Sequence, residues 1–230
     1  MEEKKSIVVS LGGSLIVPDQ IDQEFLQQFK NFVLKWTRRG HCFFIIAGGG
    51  KTARNYQLAA KDLGISDKIN LDQIGIYATC INAELLRAFF GKIAYPAIIA
   101  DYSKKITTDA KVIVASGWKT GCSTDLDAIC AAKLVGSKQV INLSNIDCLY
   151  DKDPRAFADA KPIEHLTFAE LLKITGKIWS PGANTPFDPI ASQMAQKEKI
   201  EVIIANGKNL NNLDNILSGQ PFTGTTVSPT

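Results

Sequence analysis

Two histidines and five cysteines are all that this chain of 230 residues offers to a soft metal or a disulfide framework. The cysteine count is odd, no pair has C-x-x-C spacing, and only His41 and His165 could join them. These absences argue against a zinc site and against a stapled scaffold, and they fit a reducing compartment. Net charge is equally sparse. Lys and Arg number 26 against 23 Asp and Glu, leaving +3, too little to point to nucleic acid or an anionic membrane. No apolar run approaches the roughly 18–20 residues of a membrane span. Met1-Glu2-Glu3-Lys4-Lys5 leads straight into a strand pattern with no secretory apolar segment. A soluble, cytoplasmic protein is expected. Neither histidine lies near Cys122 in sequence, so that thiol is not expected to act as a nucleophile.

What the chain has in abundance is alternation. Hydrophobic residues make up 45% and charged residues 21%, ordinary for a globular protein. The length suits one large α/β domain or two small ones. Apolar runs at residues 7–11, 42–47, 97–100, 111–115, 139–143 and 201–205 read as strands. Helical patterns occupy residues 52–63, 72–90, 125–135, 168–174, 188–197 and 210–217, and Asp22 can cap a further helix that Gly40 ends. A looser stretch covers 145–166, a Gly/Pro/Asn-rich loop covers 181–189, and the tail carries an edge-strand pattern near Thr225 to Val227. Such alternation predicts a mainly parallel sheet with helices on both faces and ligands at the carboxyl ends of the strands. With no repeat or linker, one domain over residues 1–230 is expected.

Chemistry should gather where strands break into glycine. Ser10-Leu11-Gly12-Gly13-Ser14 follows the first strand, and Gly48-Gly49-Gly50-Lys51-Thr52-Ala53-Arg54 follows the second and opens a helix. Bare backbone N–H groups at a helix start bind phosphate. Two such breaks suggest two phosphate-bearing ligands or one long one. Lys51 and Arg54, three apart, can share a face as an anion clamp; the bland alternative is a solvated basic helix start. The glycines are not spaced as in a Walker A loop. Asp72 is either a helix cap or a partner for a ribose hydroxyl. Trp118-Lys119-Thr120-Gly121-Cys122-Ser123-Thr124-Asp125 again joins a strand to a helix, with Thr124 and Asp125 as candidate caps. Ser144-Asn145 to Asp153 is densely polar, and Tyr150 offers a stacking face.

Taken in this order, the motifs resemble the amino-acid kinase superfamily and, within it, the archaeal-type uridylate (UMP) kinases. The pieces that carry the likeness are Val8-Val9-Ser10-Leu11-Gly12-Gly13-Ser14, Gly48 to Tyr56, Asp72 to Ile76 with Asn82-Ala83, Gly121 to Asp125, Asn145 to Pro154, and Phe187-Asp188-Pro189-Ile190-Ala191. The resemblance implies a three-layer α/β/α sandwich that moves the ATP γ-phosphoryl group to UMP, with Mg²⁺ accompanying ATP and no dedicated protein metal site. It implies ATP contacts at Ser10, Leu11, Gly12, Gly13, Ser14, Gly50, Arg54, Ser144, Asn145, Tyr150 and Asp153. It implies UMP contacts at Gly49, Asp72, Trp118, Lys119, Thr120, Gly121, Cys122, Ser123 and Thr124. Lys51 and Arg54 are the expected catalytic cations, and a homohexamer is the expected assembly. Ser10 and Gln193 stand where many superfamily members carry lysine, and Cys122 stands where a histidine is usual.

Overall fold

Strands that are apolar at nearly every position need cover on both faces, and the helices between them supply it. The computed structural model describes residues 6–152, 156–176 and 186–230. In chain order it runs β1 (Ser6–Leu11), α1 (Gly13–Ile16), α2 (Gln23–Arg38), β2 (Cys42–Ala47), α3 (Gly50–Asp62), α4 (Lys68–Phe90), β3 (Val112–Ala115) and α5 (Thr124–Val135). There follow β4 (Gln139–Ser144), β5 (Leu149–Tyr150), β6 (Pro162–Ile163), β7 (His165–Thr167), α6 (Phe168–Thr175), α7 (Pro189–Glu198), β8 (Glu201–Asn206), α8 (Leu210–Ser218) and β9 (Thr225–Ser228).

Seven strands form one sheet in the order β3-β2-β1-β4-β8-β9-β7. All neighbours pair parallel except β8 with β9. Successive side chains alternate between faces. Val9, Leu11, Phe43, Ile45, Ile141 and Leu143 pack on α2, α4 and α8. Val8, Phe44, Ile46, Val140, Val202 and Ile204 pack on α5, α6 and α7. The result is a three-layer α/β/α sandwich. From β1 the chain first builds outward through β2 and β3, then returns to β1's other side with β4 and β8. That reversal places a switch point between the carboxyl ends of β1 and β4, where open α/β sheets hold their ligands.

Several boundaries differ from the sequence reading. Residues 97–100 form no strand; of them Ile99 alone bridges β3, at Ala115, while Ala94, just before the stretch, bridges Val112. The Tyr95 N–H donates to the Val112 carbonyl and the Ile99 N–H to the Val114 carbonyl, so four residues here span two of β3, and the bend at Pro96-Ala97 breaks the ladder. The tail strand β9 is interior, and β7 takes the edge. The loose stretch hides the β5–β6 hairpin, in which Leu149 faces Ile163. Helix α4 begins at Lys68 under a cap from Asp67, whose carboxylate accepts the Asn70 N–H at 2.8 Å. Asp72 is therefore inside the helix and not its cap. Ser123, not Thr124 or Asp125, caps α5. Most of the loop expected over 181–189 lies outside the described residues, as does Asp153.

Candidate active site

The two glycine loops lie side by side at the carboxyl edge, joined backbone to backbone. Gly12 donates its N–H to the Leu143 carbonyl at 2.8 Å, and Gly48 donates to the Leu11 carbonyl at 2.9 Å. A Cβ on Gly13 would stand 1.9 Å from the Gly50 nitrogen, and one on Gly48 would stand 2.3 Å from the Gly13 nitrogen. Gly50 also has φ +60°, a left-handed conformation that glycine adopts at no steric cost. The N–H groups of Gly13, Ser14, Gly49 and Gly50 donate to no backbone carbonyl among the described residues. From below, the buried Asn82 amide donates to the Gly48 carbonyl (2.8 Å) and the Gly49 carbonyl (3.1 Å). With the carbonyls engaged inward, the free N–H groups form a nest for an anion.

The side chains expected around that nest divide into buried and exposed sets. Leu11 is fully buried, and Ser10 nearly so. Lys51 is half-buried, its Nζ 3.8 Å from Asp19 Oδ1, while Arg54 is exposed one turn further along α3.

Helix α4 links the second glycine loop to the loop before α5. Gly49 sits over α4, where a Cβ would lie 3.6 Å from the Gly75 carbonyl and from Thr79 Cγ2. Thr79 Oγ1 accepts the Gly117 N–H at 2.8 Å. Asp72 Oδ2 accepts the Gly121 N–H at 2.7 Å. Burial raises the Asp72 pKa, and the Gly121 bond partly offsets that. The Trp118 N–H reaches Asp127 Oδ2 at 3.2 Å. Its ring stands edge-on to Tyr102 at 5.9 Å, with Lys119 Nζ 4.2 Å above it. Lys119 and Cys122 close a turn, the Cys122 N–H donating to the Lys119 carbonyl at 3.1 Å. Thus Gly49, Asp72 and the Trp118–Thr124 segment, far apart in sequence, lie along one helix. Burial pushes the Cys122 thiol up, which removes it further from nucleophilic chemistry.

Beneath the β1–β4 crevice lies a polar cluster that the sequence reading missed. Ser10 and Asn142 are register partners on these strands. Asp125 accepts the Asn142 amide at 2.7 Å, the Asp188 N–H at 3.1 Å, and the Ser10 hydroxyl. Burial, then the charge of Asp188, pushes the Asp125 pKa up to about 7. Asp188 caps α7, accepting the N–H groups of Ile190 and Ala191, while its Oδ2 has no hydrogen-bond partner among the described residues. Asp127 is pushed up to about 8, chiefly by burial. An Asp near a helix start is commonly a cap, so nothing in the sequence marked Asp125 and Asp127 as buried.

On the far side of the crevice, Ser144 ends β4 and Asn145 follows it. The Ser144 carbonyl accepts the Gly207 N–H at 2.9 Å. Tyr150 lies on β5, half-buried, with its hydroxyl bonded to the Cys148 side chain.

The profile of the Amino acid kinase family matches residues 5–206. The chain belongs to the amino acid kinase family. This amino acid kinase is 37% identical over 228 residues to a uridylate kinase of Thermoplasma volcanium, an alignment covering 97% of each chain. It is 35% identical over 217 residues to a uridylate kinase of Methanobrevibacter smithii, covering 93% of this chain and 95% of the relative. Among solved structures it is similar to the uridylate kinase of Archaeoglobus fulgidus. That match has a TM-score of 0.82 and 27% identity, and covers 97% of this chain and all of the other. The UMP kinase of Ureaplasma parvum shares the fold at a TM-score of 0.78 and 23% identity, covering 98% and 99%.

Proposed function

We propose that this amino acid kinase transfers the γ-phosphoryl group of MgATP to UMP, giving UDP. The observation that carries the reading is the meeting of two glycine loops within van der Waals contact, one of them resting on the helix that holds Asp72. On this reading the first loop and Gly50 take the ATP phosphates, and Gly49 takes the UMP phosphate, with Asp72 at the UMP ribose. The uridylate kinase names of the full-length relatives support the same acceptor.

UMP needs no general base, because a phosphate monoester with a second pKa near ~6 is mostly dianionic at neutral pH. The obstacle is bringing two anions together, so rate comes from positioning and from positive charge on the transferring group. Lys51, Arg54 and the loop N–H groups are the protein's share of that charge. Mg²⁺ enters as part of the nucleotide substrate. An ion carried mainly by phosphate oxygens and water needs no dedicated cage of protein ligands.

We further infer a cytoplasmic homo-oligomer, a hexamer in its full assembly. The five cysteines are free, and among the described residues no helix is long and apolar enough to cross a membrane. Tyr56 and Leu63, seven apart on or just after α3, and Tyr77 and Ile81, four apart on α4, are each 64–82% exposed. Apolar side chains repeating at helical spacing suit a second copy of the chain. Light scattering of the purified protein and of Tyr77→Asp tests this; a monomeric parent would refute it. The catalytic reading is tested by ADP release across UMP, CMP and small phosphorylated acceptors. Saturable turnover with UMP is expected. ATP binding without ADP release at any Mg²⁺ concentration would refute turnover and favour a nucleotide-holding protein of the same fold.

A further inference from the structure

Asp127 sits in the first turns of α5 with none of its surface exposed. A buried carboxyl is costly unless its oxygens are satisfied. Only one is: Oδ2 accepts the Trp118 N–H at 3.2 Å, and Oδ1 has no hydrogen-bond partner among the described residues. An apolar residue would fill this place in the α5 core, beside Ala128, Ile129 and Ala131, at lower cost to the fold. The acid is therefore poorly explained by stability, and its one bond indicates what it does.

That bond fixes one end of a short turn. The other end is fixed by Asp72, which accepts the Gly121 N–H. Lys119 and Thr120 lie between the two anchors. The anchors are not equivalent. On the proposed function Asp72 also meets the acceptor ribose, so its carboxylate is shared once UMP binds. Asp127 has no exposed surface through which to share its carboxyl, and its bond stays with the loop. We propose that Asp127 is a positioning residue for the acceptor: by holding the Trp118 N–H it keeps the Trp118–Gly121 turn in shape while Asp72 is engaged with UMP. The inference rests on the reading that this turn lines the acceptor pocket.

The test compares Asp127→Asn, which still presents an acceptor oxygen to Trp118, with Asp127→Val and Asp127→Ala, which do not. Steady-state kinetics with UMP and ATP varied separately should show the UMP KM raised about five- to ten-fold in Val and Ala, the scale of one lost hydrogen bond. The ATP KM should stay within two-fold, and Asn should restore the UMP KM to within two-fold of the parent. A merely structural role would not separate the two substrates. Hydrogen exchange read on the peptide spanning residues 116–122, with no substrate present, should be faster in Val and Ala than in Asn or the parent. Unchanged UMP KM in Val and Ala, equal rises for both substrates, or no rescue by Asn would overturn the proposal. Failure of both Val and Ala to fold would also overturn it, because Asp127 would then be a requirement of the fold. If the parent itself does not phosphorylate UMP, the functional reading fails separately, and the exchange measurement still decides whether Asp127 holds the turn.

Discussion

The glycine loops and the Trp118–Thr124 loop sit at the same edge of one sheet, yet they are held in opposite ways. The first pair meets backbone against backbone, with Gly13 against Gly50 and Gly48 against Gly13 leaving no room for a Cβ and the Asn82 amide bracing the second loop from below. The second is held by side chains reaching in from elsewhere: Thr79 and Asp72 from α4, and Asp127 from α5. A backbone-held loop is rigid and intolerant of substitution. A loop held by side chains can be retuned one anchor at a time, which on the proposed function would suit the part of the kinase that meets the acceptor.

The contrast breaks most sharply at Gly13. Gly13→Ala should abolish measurable turnover and lower stability by about 2–3 kcal/mol, as overpacking against fixed backbone does; urea unfolding and ADP release check it. A variant of parental stability and rate would show that the loops are not in rigid contact. Next comes Arg54, exposed on α3. Arg54→Ala should lower kcat/KM by roughly 100-fold or more if its guanidinium meets the transferring phosphoryl group, and a loss below three-fold with the fold intact would return it to a solvated helix face.

A smaller and more selective effect is expected at Asp72. Asp72→Asn exchanges a charged acceptor for a neutral amide. It should raise the UMP KM about ten-fold and leave the ATP KM nearly unchanged, whereas Tyr150→Ala should do the reverse. If Asp72→Asn weakens ATP instead, the two sides of the crevice are assigned the wrong way round.

The smallest effect concerns pH. The Asp127 pKa is pushed up to about 8, above the ~3.9 of an unfolded aspartate. The folded state therefore holds this proton longer, and the stability it lends is full below about pH 4 and lost as pH rises toward 8. Asp127→Asn removes that slope. Its Tm relative to the parent should be more favourable at pH 8 than at pH 7 by a few degrees, since one pH unit below the folded pKa is worth about 1 kcal/mol and a chain of this size shifts by about 2–4 °C per kcal/mol. Calorimetry at the two pH values checks this, and an equal difference at both would show that Asp127 is ionised in the fold.

The same division explains what the sequence could tell. Glycine in a strand-to-helix break is a local signal, so both loops and the strands feeding them, β1 and β2, were legible from the residues themselves. The parallel sheet followed from the apolar runs, because strands covered on both faces leave little choice of pattern. The anchors of the Trp118–Thr124 loop were not legible. Asp72 and Gly121 are brought together only by the packing of α4 under β3, and Asp127 looks like any acid in a first helical turn. The Asp125–Asn142–Ser10 cluster escaped for the same reason, since register between β1 and β4 is what aligns Ser10 with Asn142. Residues 97–100 misled because an apolar run does not reveal the bend at Pro96-Ala97, which puts the Tyr95 and Ile99 donors out of step with β3.

The contact between the glycine loops also sets a dimension. No side-chain atom lies between Gly13 and Gly50, so the spacing of the two anion nests is fixed by peptide van der Waals radii and not by any rotamer. Substitutions elsewhere in the protein can change what each nest grips, or how tightly. On the proposed function that spacing sets the gap the phosphoryl group would cross, and a Cβ at Gly13 or a change in the length of either loop would alter it.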